Sequence, residues 1–195
     1  LENDFAYEDD GALRFRVEKD QEIIFQDYVR GDMSFKTNDV EDFVILRSDK
    51  SPTYHLASTV DDIDYEITII ARGEDILSST PKHIMIMNAL NAKVPDFCHL
   101  PLLFGPDGKK LSKRHGDTSV SSFKERGVLP ETLFNYMSIL GWSPGNDIEI
   151  FDKDFAINNF DLKNVLANPA IFDTQKLLWM NGQYIREFDE KIFNK

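Results

Sequence analysis

The chain has 195 residues, 42% of them hydrophobic, enough to bury the core of one or two domains. A formal net charge of -12 argues against binding nucleic acid through the overall field, so any such contact must rest on a local basic surface. No stretch approaches the roughly 20 apolar residues that span a bilayer, and the single cysteine, Cys98, excludes an internal disulfide and any multi-cysteine metal site, which points to a reducing, cytosol-like compartment.

The opening is acidic (Glu2, Asp4, Glu8, Asp9, Asp10) and reads as a solvated face. Residues 12–17 alternate Leu13, Phe15 and Val17 with Arg14 and Arg16, the pattern of a half-buried strand. Residues 23–29, 33–36 and 43–47 look similar, and Arg30-Gly31-Asp32 turns the chain between two of them. Together they predict a small antiparallel unit. Residues 52–64 read as a helix with a proline suited to its first turn. The run Ile67-Thr68-Ile69-Ile70-Ala71 predicts a strand buried on both faces, as in a parallel sheet. Ser79-Thr80-Pro81 is a cap-and-proline start for a helix to about Asn91. Helix, buried strand and helix make a fragment of a doubly wound layer, so the fold class is mixed α/β.

Residues 97–104 predict another strand, leading into the turn Gly105-Pro106-Asp107-Gly108. The segment 107–126 is locally basic through Lys109, Lys110, Lys113, Arg114, Lys124 and Arg126. Helices are expected at 119–126, at 130–140 closed by Gly141, at 152–159 and at 174–180. Leu1 is not an initiator methionine, and residues 187–195 read as a helix that stops after about two turns. The expectation is a piece of a longer protein.

Arg72 ends the apolar strand where Gly73 opens the chain. Ligands of open α/β sheets bind beyond the carboxyl ends of strands, and a guanidinium there can grip a carboxylate in a bidentate pair. The plainer reading pairs it with Glu74 or Asp75. The loop from Asp107 to Gly116 places cations between glycines, where they suit a triphosphate and its leaving pyrophosphate. A solvated basic loop is the plainer reading here too. His55, His83, His99 and His115 lack metal-ligand spacing and read as structural. Asp61 and Asp62, adjacent on a helix, do not share a face and read as surface or local hydrogen-bonding groups.

Lys110-Leu111-Ser112-Lys113-Arg114 resembles the lysine-serine-lysine loop of class I aminoacyl-tRNA synthetases, and its surroundings are similar to the bacterial and organellar glutamate enzymes. The similar stretches are Asp42 through Asp49, Pro52 through Ala57, Asp61-Asp62, Arg72-Gly73-Glu74-Asp75 and His99-Leu100-Pro101-Leu102. The loop itself, Leu140-Gly141-Trp142-Ser143 and Lys176 through Gly182 complete the set. They run in the family's order from about Arg14 to Arg186.

The resemblance implies the second half of a Rossmann-like nucleotide-binding fold, flanked by a small β-rich insertion remnant and a mainly helical stem-contact region. It implies a two-step reaction: glutamate and ATP form glutamyl-adenylate, then the glutamyl group passes to the 3′ end of tRNA(Glu). It assigns catalysis to Lys110, Ser112 and Lys113. ATP contacts fall to Lys110, Leu111, Lys113, Asp75, Ile76, Leu102 and Leu103, and glutamate contacts to Arg72, Tyr54 and Ser58. Candidate tRNA contacts are Lys124, Arg126, Lys163, Lys176 and Arg186. Magnesium is expected with ATP, but no protein-bound metal in this segment and no membrane.

The implied divisions are 1–52 for the end of the acceptor-stem domain, 53–93 for the nucleotide fold and 94–195 for the stem-contact region. The implied parent is a monomer of the cytoplasm or an organellar matrix. Three residues depart from the family pattern: Lys50 for a glycine, Ser58 for an asparagine and Ile76 for a frequent histidine. The family's histidine-containing phosphate motif is not present. The alternatives are a glutamine–tRNA ligase, the shorter paralogue that glutamylates a modified tRNA base, and a non-catalytic binding module.

Overall fold

The structure, a computed structural model, describes residues 5–6, 11–112 and 119–193. Two compact units share the chain, residues 1–99 and 100–195.

In the first unit, alternating side chains make two sheets. Strands β1 (Phe5–Ala6), β2 (Leu13–Phe15) and β5 (Phe43–Leu46) pair antiparallel in the order β1-β2-β5. Phe15 stacks on Phe43 with ring centroids 5.2 Å apart. Strands β3 (Glu22–Asp27) and β4 (Gly31–Lys36) form a hairpin in which Gly31 takes a φ of 74°. That hairpin leaves the antiparallel unit predicted for it. β3 instead pairs in parallel with β7 (Asp96–Leu100), Asp27 opposite Phe97, in a four-stranded sheet of order β4-β3-β7-β6.

Strand β6 (Ile69–Gly73) is at the edge of that sheet and is not buried on both faces. Ile70 turns into the core, whereas Ala71 is exposed, because an edge strand here has one covered face. Helices α1 (Tyr54–Asp64) and α2 (Thr80–Ala89) pack on each other. A core of Phe25, Ile70, Ile84, Met87 and Phe97 lies between sheet and helix. Each such buried side chain contributes about 1.5–3 kcal/mol. The start of α2 differs from the expected cap. A 3₁₀ turn, Glu74–Ser79, runs directly into it, Ser79 already has helical dihedrals, and the Thr80 hydroxyl is used elsewhere.

Pro101, which lacks an N–H, divides the predicted 97–104 strand. Its second part, β8 (Leu103–Phe104), belongs to the other unit and pairs in parallel with β9 (Ala170–Ile171). The helices there are α3 (Val120–Glu125), capped by Ser119, α4 (Pro130–Ile139), α5 (Lys153–Asn159), capped by Asp152, and α6 (Thr174–Phe193). Asp173 caps α6 by accepting from the N–H groups of Gln175 and Lys176.

Helix α6 is 20 residues long and not the short element expected at 174–180, for it continues through Gly182. Asn181 explains why. Its side-chain oxygen accepts from the Leu129 N–H (2.9 Å) and the Thr132 hydroxyl (3.1 Å), and its amide donates to the Gly127 carbonyl (3.0 Å). Phe123, Tyr136, Phe172, Leu177 and Met180 form the core beneath it. Among the described residues no helix is long and apolar enough to cross a membrane.

Candidate functional site

Arg72 leaves the end of β6 and meets residues from two other elements, α2 and β7. Its Nε donates to His99 Nε2 at 3.1 Å, Nη1 meets His83 Nδ1 at 2.9 Å, and Nη2 donates to the Thr80 hydroxyl at 2.8 Å. Thr80 and His83 stand three residues apart on α2, one above the other on a single face. His99 comes from β7, and the Phe97 ring centroid lies 5.8 Å from the guanidinium carbon.

These contacts fix the protons. A guanidinium only donates, so the facing nitrogens of His83 and His99 must present lone pairs. His99 therefore carries its proton on Nδ1, which donates to the Asp27 carboxylate at 2.6 Å. His83 carries its proton on Nε2 and donates to His55 Nδ1 at 3.0 Å. The result is one chain of polar contacts: Asp27, His99, Arg72, His83, His55.

Asp27 is held beyond its contact with His99. It accepts from the N–H groups of Val29 and Arg30, both at 2.9 Å, and from the His99 N–H. Burial pushes its carboxyl up, but the hydrogen bonds from His99, Arg30 and Val29 win and hold it below the usual range. Burial lowers His99 despite Asp27 and lowers His55, with Lys82 and Arg72 adding to the second shift. His83 falls to about 3 through burial first, then the Arg72 charge. All three imidazoles are thus neutral at neutral pH, as the donor geometry requires.

Arg72 is not paired with Glu74, which forms an ion pair with Arg30. Burial lowers the guanidinium's pKa against the opposing influence of Tyr54, Asp62 and Asp27. Among the described residues no carboxylate is hydrogen-bonded to it, and its fixed partners are neutral acceptors. Tyr54 is 52% exposed, and Ser58 and Asp62 follow it at four-residue steps along the same face of α1. Burial raises Asp62. Asp75 is exposed and Ile76 half-buried in the turn after β6, with the Asp75 carboxylate folded back over Gly73.

The basic loop is built on a hairpin in the second unit. Leu111 donates to the Leu103 carbonyl (2.7 Å), Phe104 is paired with Lys110, and Gly105 donates to the Lys109 carbonyl (2.8 Å). Gly108 turns the hairpin with a φ of 70°. Leu103 and Leu111 pack on the core of that unit, whereas Lys110 and Ser112 are exposed and Leu102 is half-buried. Lys113, Arg114 and His115 lie outside the described residues.

The candidate basic contacts are spread over several elements. Lys124 is exposed on α3, Arg126 follows it with its guanidinium 5.7 Å from the Phe123 ring, and Lys163 sits in a 3₁₀ turn. Arg186 is exposed on α6, and Lys176 is ion-paired with Glu149. Among the described residues no group of three or more His, Cys, Asp or Glu could hold a metal ion.

Sequence reasoning placed Arg72 and Tyr54 as ligands but missed Asp27, Thr80, His83 and His99 as the company Arg72 keeps. Only the i, i+3 spacing of Thr80 and His83 carried a signal. Asp27 and His99 are 72 residues apart and meet solely through the β3–β7 pairing.

Comparison with known proteins places the chain in a family. Residues 2–179 match the family model for the catalytic domain of class I tRNA synthetases (E and Q). A glutamate–tRNA ligase of Aquifex aeolicus is 50% identical over 177 residues, 90% of this chain and 37% of that protein. One from Carboxydothermus hydrogenoformans is 49% identical over 175 residues, 90% of this chain and 36% of that protein. The crystal structure of a glutamate tRNA ligase from Elizabethkingia meningosepticum in complex with its amino acid superposes with a TM-score of 0.83 at 36% identity, covering 90% of this chain and 38% of that one. The chain thus spans little more than a third of the relatives it matches.

Proposed function

The chain belongs to the class I tRNA synthetases of the glutamate and glutamine type, and on that premise we propose that it is part of a glutamate–tRNA ligase. The α-carboxylate of glutamate attacks the α-phosphorus of ATP, the bond to pyrophosphate breaks, and glutamyl-adenylate forms. The 3′-terminal adenosine of tRNA(Glu) then takes the glutamyl group. Magnesium accompanies ATP as part of that substrate.

The observation that carries the reading is the guanidinium of Arg72, held between neutral acceptors with no carboxylate among the described residues bonded to it. A cation so placed suits the side-chain carboxylate of glutamate. The neutral amide of glutamine would leave it poorly paired in a partly desolvated site. Tyr54 and Ser58, on one face of α1, complete the amino-acid contacts.

Lys110 and Lys113 stabilise the charge that builds on the triphosphate, with Ser112 between them. The family resemblance assigns Ile76, Leu102, Leu103 and Leu111 to the adenine and Asp75 to the nucleotide. These ATP assignments rest on the family motif.

Residues 1–52 are the end of an acceptor-stem domain, 53–93 the second half of the nucleotide fold and 94–195 the stem-contact region. There Lys124, Arg126, Lys163 and Arg186 contact phosphates, and Lys176 does so once its pair with Glu149 opens. The parent acts as a monomer in the cytoplasm or an organellar matrix.

The test is tRNA-dependent, glutamate-dependent ATP–pyrophosphate exchange in the complete synthetase that contains this segment. Exchange with glutamate well above that with glutamine is expected. Failure with a range of matched tRNAs would overturn the reading, and stronger exchange with glutamine would move the chain to the glutamine branch.

A further inference from the structure

An arginine that reads a carboxylate must be both held and left electrostatically open. Those demands conflict, because the strongest way to hold a guanidinium is a carboxylate, and a bonded carboxylate competes with the ligand. The cluster around Arg72 resolves the conflict by geometry. His83 Nδ1, His99 Nε2 and the Thr80 hydroxyl take three of its N–H groups, and none of the three is an anion. Asp27, the carboxylate that offsets the buried charge, is set back behind the His99 ring. The nearest acid in sequence beyond Gly73, Glu74, is ion-paired with Arg30. His83 is itself fixed from behind by His55.

We infer that His83 and the His99–Asp27 couple are positioning residues for Arg72, holding its guanidinium through neutral acceptors so that it selects a side-chain carboxylate over an amide. This rests on the reading of Arg72 as the glutamate contact. Discrimination then depends on residues that never touch substrate.

His83 is the most informative position, because three replacements there separate orientation from charge. His83→Leu removes the acceptor, His83→Gln returns an oxygen that accepts from Nη1, and His83→Glu puts a carboxylate directly on the guanidinium. Each is assayed in the complete synthetase for KM and kcat toward glutamate and for the preference over glutamine, with Arg72→Ala as reference.

His83→Leu should raise KM for glutamate about tenfold, the scale of a lost hydrogen bond to a charged group, with a smaller change in kcat. His83→Gln should restore most of that KM. His83→Glu should raise KM at least as much and narrow the preference for glutamate, because the new anion occupies the cation. If His83→Glu does not fold, the Leu and Gln replacements decide alone. Unchanged KM and preference in these variants, alongside weakened glutamate use in Arg72→Ala, would overturn the inference and leave the function standing. Unchanged glutamate use in Arg72→Ala itself would overturn both.

Discussion

Lowering the pH from 7.5 to 5.5 should destabilise the first unit by about 1.4 kcal/mol more in the native sequence than in a His83→Gln variant. In the fold His83 binds a proton only at about 3, whereas its ordinary value is 6.5. The folded value is the depressed one, so this contribution is fully present above pH 6.5 and is lost as the pH falls toward 3. The loss approaches about 1.4 kcal/mol per pH unit. Between pH 7.5 and 5.5 the unfolded imidazole goes from about one-tenth to about nine-tenths protonated, and integration over that window gives the stated difference.

The physical causes are burial of the ring and then the charge of Arg72, whose N–H points at Nδ1. The glutamine side chain of the variant has nothing to titrate, and His55 and His99 are common to both proteins. With a urea slope of about 2 kcal/mol per molar, the extra shift in midpoint is about 0.7 M. Trp142 and Trp179 both lie in the second unit, so the transition should be followed by hydrogen exchange at residues 96–100. Identical pH dependence in the two proteins would refute the proton placement.

Asp27→Asn should invert the His99 tautomer: with the amide oxygen kept on the Val29 and Arg30 N–H groups, its NH2 faces Nδ1 and drives the proton onto Nε2, against Arg72. Heteronuclear NMR of the imidazole nitrogens checks this; an unchanged Nδ1–H signal would contradict it. Arg72→Ala in the complete synthetase should weaken glutamate binding by about tenfold or more, as for a lost charge-assisted contact, and calorimetry would expose equal affinity. Lys113→Ala should slow glutamate activation by roughly a hundredfold, the scale of a lost transition-state donor; an unchanged single-turnover rate excludes that role. Asn181→Ala should cost the second unit about 3 kcal/mol by leaving the Leu129 N–H and Gly127 carbonyl unpaired. Urea unfolding followed by tryptophan fluorescence measures that loss, and an unshifted midpoint would contradict it.

Much of the architecture was legible because local pattern writes local structure. The apolar run before Arg72 identified a strand and put a cation at its carboxyl end. Ser119 and Asp152 marked helix starts that the structure keeps. Strand partners are another matter. Alternation marks β3 and β4 as strands but says nothing of β7, some 70 residues on, and so the hairpin was assigned to the wrong sheet. Helix α6 was cut short because Asn181-Gly182 is a helix end by propensity, and tertiary hydrogen bonds override it. The histidines lack metal spacing, and nothing local in the sequence marks that His83 and His99 accept from Arg72 while His55 accepts from His83.

The hairpin bearing Lys110 has a consequence for how this segment tolerates insertions and deletions. Side chains alternate across a strand, so Leu103 and Leu111 face the core while Phe104 and Lys110 face away. Gaining or losing one residue in the turn 105–109 would slide the return strand by one place and exchange Lys110 with Leu111. A length change of two residues would restore the alternation. Homologues and engineered variants that retain this pairing should therefore vary the turn in steps of two, or absorb an odd residue in a bulge.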